Sequence, residues 1–115
     1  MSKNSRPDDY LSDMSEAISD ISDFIENLIF EEFVDDKKTI NAVIRSLEIL
    51  GEATKNIPMS IRNQYPDIPW SQMAGMRDVL IHNYMGVDHL MTVWKVITER
   101  LPDLKSKIEK ISNPA

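Results

Sequence analysis

The stretch INAVIRSLEILGEATKNI, residues 40–57, decides the fold. Within it Ile40, Val43, Leu47, Leu50, Thr54 and Ile57 step by three and four in alternation, which lines them along one face of an α-helix. Upstream, Leu11, Met14, Ile18, Ile21, Ile25 and Leu28 repeat the same steps. Downstream, Val87, Leu90, Trp94, Ile97, Leu101, Leu104, Ile108 and Ile111 carry a third stripe. Narrow stripes of this kind suit helices packed at shallow angles in a bundle. No segment alternates with the period of a strand between hairpin turns. The fold expected is all-α, an antiparallel four-helix bundle.

The punctuation between the stripes agrees. Pro7 suits the first position of a helix, and Asp8 and Asp9 favour its positive dipole end. Asp35 or Asp36 can cap the second helix. Pro58, Pro66 and Pro69 mark the main loop, with room for one short helical turn. A third helix is expected from Pro69 or Trp70 to about Tyr84, where Gly86 can end it. Asp88 can cap the fourth, and Pro102 should kink or divide that helix.

With 115 residues the chain fits one domain, expected over 1–115 with its core from about residue 7 to 111. The long stripes exceed what so small a bundle readily buries, which favours a homodimer. There is no cysteine, hence no disulfide, thiolate nucleophile or cysteine-based metal site. The N-terminus lacks the apolar core of a signal peptide, and no apolar run is long enough to span a membrane, so the expected location is the cytoplasm. The net charge of −6 is unevenly spread. Residues 1–36 carry two basic and eleven acidic side chains, whereas residues 37–77 carry six basic and three acidic ones. A polyanion is repelled by the first segment and tolerated by the second, so any RNA contact should be local. The acidic segment reads either as a solvated helix face or as a surface that steers a basic protein partner.

Chemistry concentrates in Arg77-Asp78-Val-Leu-Ile-His82-Asn-Tyr84. Asp78 and His82 are four apart, so on a helix they share a face and the carboxylate can hold the imidazole. A histidine can move protons near neutral pH, and a guanidinium can bind phosphate oxygens and stabilise developing charge. Such a set suits RNA cleavage in which the nucleophile is the RNA's own 2′-hydroxyl, with neither metal nor cofactor. Spacing alone leaves a plainer reading open, with His82 a helix-end packing residue, Arg77 a surface ion-pair partner and Tyr84 an aromatic closing the core. Glu52 can orient Arg77 or stand solvated. Arg45, two turns earlier, can extend a phosphate path or serve the surface. Trp70 and Trp94 read as core aromatics.

The motif Arg77-(four residues)-His82-(one residue)-Tyr84 resembles the signature of the HepT-like branch of the HEPN superfamily. Gly51-Glu52-Ala53, Tyr65-Pro66, Ile68-Pro69-Trp70, Met76-Arg77, Val87-Asp88 and Val93-Trp94 follow in that family's order, so the resemblance extends from about Pro7 to Ile111. Asp78 departs from the asparagine often found after the arginine. The resemblance implies a metal-independent RNase toxin of a two-gene toxin–antitoxin system, with Arg77 and His82 as catalytic pair; Asp78 and Glu52 are supporting candidates from their positions in the sequence alone. It implies a homodimer in which two motifs face one cleft. It further implies a minimal nucleotidyltransferase as antitoxin, which transfers AMP onto Tyr84. The rival is a non-catalytic helical module that dimerises and docks such an enzyme.

Overall fold

The computed structural model describes residues 6–76 and 87–112, the last range by backbone alone at 87, 88 and 112. Every regular element among them is helical. Helix α1 covers Pro7–Phe24, α2 Phe30–Val34, α3 Lys37–Lys55, α4 Met59–Arg62, α5 Trp70–Ala74, α6 Val87–Lys95 and α7 Leu101–Ser112. A π-helical turn, Val96–Arg100, joins α6 to α7 without a break. The fold is all-α. Of the helix expected between Trp70 and Tyr84, the part beyond Met76 lies outside the described residues.

Helix α1 begins as its sequence predicts, with Pro7 in its first turn and the Arg6 N–H donating to Asp9 Oδ2 at 3.0 Å. Its end differs from expectation, because the stripe through Ile25 and Leu28 does not continue as helix. The last helical residue is Phe24, and Asn27 takes a left-handed φ of 65°. Asparagine tolerates that conformation better than most residues, and it stops the helix much as glycine does. The chain then enters α2, an element the stripes do not announce. Glu32 Oε1 accepts from the Ile29 N–H at 3.0 Å, and Phe33 is driven fully into the core. Asp36 caps α3 by accepting from both the Thr39 N–H and the Thr39 hydroxyl. Those two bonds, the hydroxyl first, hold the Asp36 carboxyl below the usual aspartate range.

The core follows the three stripes. Leu11, Met14, Ile18 and Ile21 of α1 are buried against Val43, Leu47, Leu50 and Thr54 of α3 and Ile97, Leu101, Leu104 and Ile108 of the C-terminal rod. Tyr10 and Asp13, early in α1, share a groove with Glu52 and Asn56, late in α3, so these helices run antiparallel. Ser15 of α1 donates to Glu109 near the end of α7 at 3.3 Å, which gives the same relation there. Thr54, the polar member of the α3 stripe, is buried with its hydroxyl satisfied by the Leu50 carbonyl at 2.6 Å. Trp94 is half-buried and stacks obliquely on Phe33, ring centroids 5.0 Å apart, and more loosely on Phe30 at 6.2 Å.

Two local expectations are corrected in the C-terminal half. Val87 is already helical, so Asp88 lies inside α6 and not at its cap. The irregularity expected at Pro102 falls just before it, in the turn Val96–Arg100, where the Leu101 N–H reaches back five residues to the Val96 carbonyl. Proline lacks the N–H that would bond the Thr98 carbonyl, and its ring crowds that carbonyl. A wider turn immediately upstream relieves both problems without ending the helix.

Candidate active site

The segment that leads into the motif is held at three points. The Arg62 guanidinium donates to the carbonyls of Ile57 at 2.9 Å and Thr54 at 2.8 Å, so a cation closes the C-terminus of α3. Trp70 is buried, and its indole N–H donates to the Tyr65 carbonyl at 3.0 Å, which folds the loop onto the start of α5. Lys107 of α7 reaches Asp67 of the same loop at 3.6 Å and Asp103 at 3.4 Å. Helix α5 packs on α3, buries Trp70 and Met73, and ends at Ala74 with Gly75 as its C-cap. The chain therefore arrives at Met76 from a well-anchored loop.

Arg62→Ala removes two bonds from a charged donor and leaves the end of α3 open. It is expected to lower the unfolding free energy by about 2 kcal/mol in a urea titration, with Arg62→Lys recovering only part.

Arg77, Asp78, His82 and Tyr84 lie outside the described residues. Of the site residues named from sequence, Glu52 is described. It is exposed on the outer face of α3, and its backbone carbonyl accepts from the Asn56 side chain at 3.0 Å. Arg45 is on the same face, its side chain 72% exposed and 3.7 Å from Glu48, so its observed contact is a surface ion pair.

A groove of about 380 Å³ runs between α1 and α3 along this face. Tyr10 and Asp13 form one wall, Arg45, Glu48, Ile49 and Glu52 the other, and Ala53 and Asn56 close it. Ile49 is 39% exposed, unusual for a large aliphatic side chain in the middle of a packed helix. The sequence reading missed this groove. Its signal was a second stripe on α3, Ala42, Arg45, Ile49, Glu52 and Asn56, with the same three-and-four steps as the core stripe. Mixed charge hides such a stripe from a search for apolar periodicity.

No group of three or more metal-binding side chains occurs among the described residues, and no helix among them is long and apolar enough to cross a membrane.

Comparison with known proteins supplies the family. The family model described as "Ribonuclease HepT-like" matches residues 14–111. A protein of Thermococcus cleftensis named "Probable ribonuclease HepT" is 53% identical over 103 residues, covering 90% of this chain and 93% of the relative. A protein of Methanocaldococcus jannaschii named "Putative RNase" is 48% identical over 102 residues, covering 89% and 84% respectively. A bacterial relative from Caldanaerobacter subterraneus with the same style of name is 38% identical over 109 residues, covering 95% of each chain. No solved structure matches this chain. An all-helical chain matched over nearly its whole length in this way is a HepT-like protein of the HEPN superfamily. It belongs to the ribonuclease HepT-like family, whose curated members are named as ribonucleases.

Proposed function

We propose that this chain is, as a single domain, a metal-independent endoribonuclease and the toxin of a toxin–antitoxin pair. The observation that carries the reading is the family match over residues 14–111, which spans an intact Arg77, His82 and Tyr84. In the proposed reaction the RNA 2′-hydroxyl attacks the adjacent phosphorus, and its proton passes to an imidazole. The P–O5′ bond breaks, and the departing 5′-oxygen takes up a proton. The products are a 2′,3′-cyclic phosphate and a 5′-hydroxyl. His82 moves the protons, and Arg77 stabilises the charge that builds on the phosphate oxygens. Asp78 orients the imidazole, and Glu52 supports the arginine. No step calls on a metal or a protein nucleophile.

The active form is a homodimer in which two copies of the motif serve one cleft. The partner is a minimal nucleotidyltransferase acting as antitoxin in the same cytoplasm. It silences the site by transferring AMP onto Tyr84, two residues from His82. An attached nucleotide adds bulk and phosphate charge where RNA must enter, and so blocks the cleft.

The test is direct. Purified, unmodified protein is expected to cleave RNA in excess EDTA and leave cyclic phosphate ends. If cleavage stops in EDTA, the metal-free mechanism is wrong. If the unmodified protein never cleaves, a docking module for the nucleotidyltransferase becomes the better account. Co-expression with the active partner should raise the mass of the Tyr84 peptide by one or more adenylates, and an unchanged mass would refute the modification.

A further inference from the structure

We propose that the corner where α1 turns into α2 is a docking surface for a basic, apolar-anchored segment of a partner protein. Phe24 and Ile29 are its anchors, and the carboxylates around them select the charge of what binds. The surface uses no residue of the Arg77–Tyr84 motif, and it stands whether or not the chain cleaves RNA.

Apolar exposure gathers at this corner. Of the five large hydrophobic residues exposed among the described ones, three lie here: Phe24 at 41%, Ile29 at 58% and Met91 at 40%. Two overlapping turns keep the first two close together. In them the Glu26 N–H donates to the Asp23 carbonyl at 3.3 Å and the Leu28 N–H to the Ile25 carbonyl at 3.0 Å. Phe30, beside Ile29, stacks on Trp94, and Met91 stands one turn before Trp94 on the same helix, which extends the patch onto α6. Single apolar side chains at a surface are ordinary, whereas a group of them rimmed by charge marks an interaction site.

Charge states what covers it. From Pro7 to Asp36 the chain carries eleven acidic residues and no basic one. Glu32 and Asp36 are engaged in capping α2 and α3. Asp20, Asp23, Glu26, Glu31 and Asp35 are exposed, and none of them forms an ion pair among the described residues. Lys37 and Lys38, at the start of α3, mark the limit of the acidic rim on that side. RNA or an anionic lipid surface is repelled by such a rim. A second copy related by a two-fold axis would set like charges against each other. A protein segment that interleaves lysine or arginine with large apolar side chains satisfies both the knobs and the carboxylates.

The experiment titrates the full chain, by calorimetry, with a synthetic amphipathic helix built only of leucine and lysine. Ile29 is the N-cap of α2, a position that serine fills well, so Ile29→Ser keeps the fold and the net charge while removing an anchor. It should raise the peptide's Kd about tenfold, and Phe24→Ser should do the same. The double variant Asp23→Asn/Glu31→Gln keeps both anchors and should flatten the dependence of Kd on salt. A peptide of the same length built of leucine and glutamate should not bind. Far-UV circular dichroism confirms the folding of each variant. A parent that ignores the lysine peptide, or takes the glutamate peptide as well, overturns the proposal. So does an unchanged Kd in both Ile29→Ser and Phe24→Ser, because the attraction would then be diffuse charge alone. Self-association of the parent that Ile29→Ser abolishes would assign the corner to a second copy and overturn it too. Cleavage activity enters none of these readouts, so failure of the nuclease reading is scored separately.

Discussion

His82→Ala is expected to reduce RNA cleavage by roughly 10²–10⁴-fold, the usual contribution of a positioned general acid or base. The loss should appear in turnover with helicity and solution mass unchanged. No other residue of the motif carries an imidazole, since the chain's second histidine, His89, lies outside it. Arg77→Ala should also cripple cleavage, through lost stabilisation of phosphate charge. Arg77→Lys should recover little, because an ammonium cannot reproduce a bidentate guanidinium contact. A His82→Ala protein that cuts as fast as its parent would strip this residue of its role. Parent and variant both inert toward RNA would instead point to the docking module.

The second large effect concerns the fold. Phe33→Ala should cost about 3–5 kcal/mol of unfolding free energy, read from a urea transition. Phe33 is fully buried, it is the one buried residue of α2, and its ring is 5.0 Å from that of Trp94. Removing it leaves a cavity between α2 and α6, and α2 is too short to hold itself by hydrogen bonds alone. Total stabilities of small domains run to about 5–15 kcal/mol, so the variant should sit close to unfolding at ambient temperature. The Trp94 fluorescence offers a local reporter of the same event. A loss under about 1 kcal/mol would mean that the Phe33–Trp94 contact does not anchor this end of the molecule.

What the sequence made legible was whatever depends on period. Five members of the α3 stripe and the Thr54 hydroxyl are buried where spacing puts them, and Pro7, Asp36 and the proline-marked loop end or begin elements as turn chemistry predicts. Aperiodic features escaped. Asn27 cut α1 short through a single left-handed residue. Phe33 belongs to no stripe because its helix is barely one turn long. Arg62 carries no periodic signal, and only the folded chain shows its guanidinium turned back onto two carbonyls. For the candidate site the balance is reversed. The residues Arg77, His82 and Tyr84 were named from a motif and a resemblance, and the family match spans that stretch of chain. The groove beside Glu52 shows only in the folded chain, because a stripe that mixes Ala42, Arg45, Ile49, Glu52 and Asn56 has no apolar signature.

The wide turn at Val96–Arg100 has a bearing on how this chain tolerates change in length. Because the rod continues on both sides of it, the turn sets the rotational phase of α7 relative to α6. Removing one residue there would spin everything downstream by about 100° around the rod's axis. Leu104 and Ile108 would swing out toward water, and Lys105 and Glu109 would take their places against α1. A change of length in the five residues before Leu101 is therefore expected to cost the packing of α7 on α1.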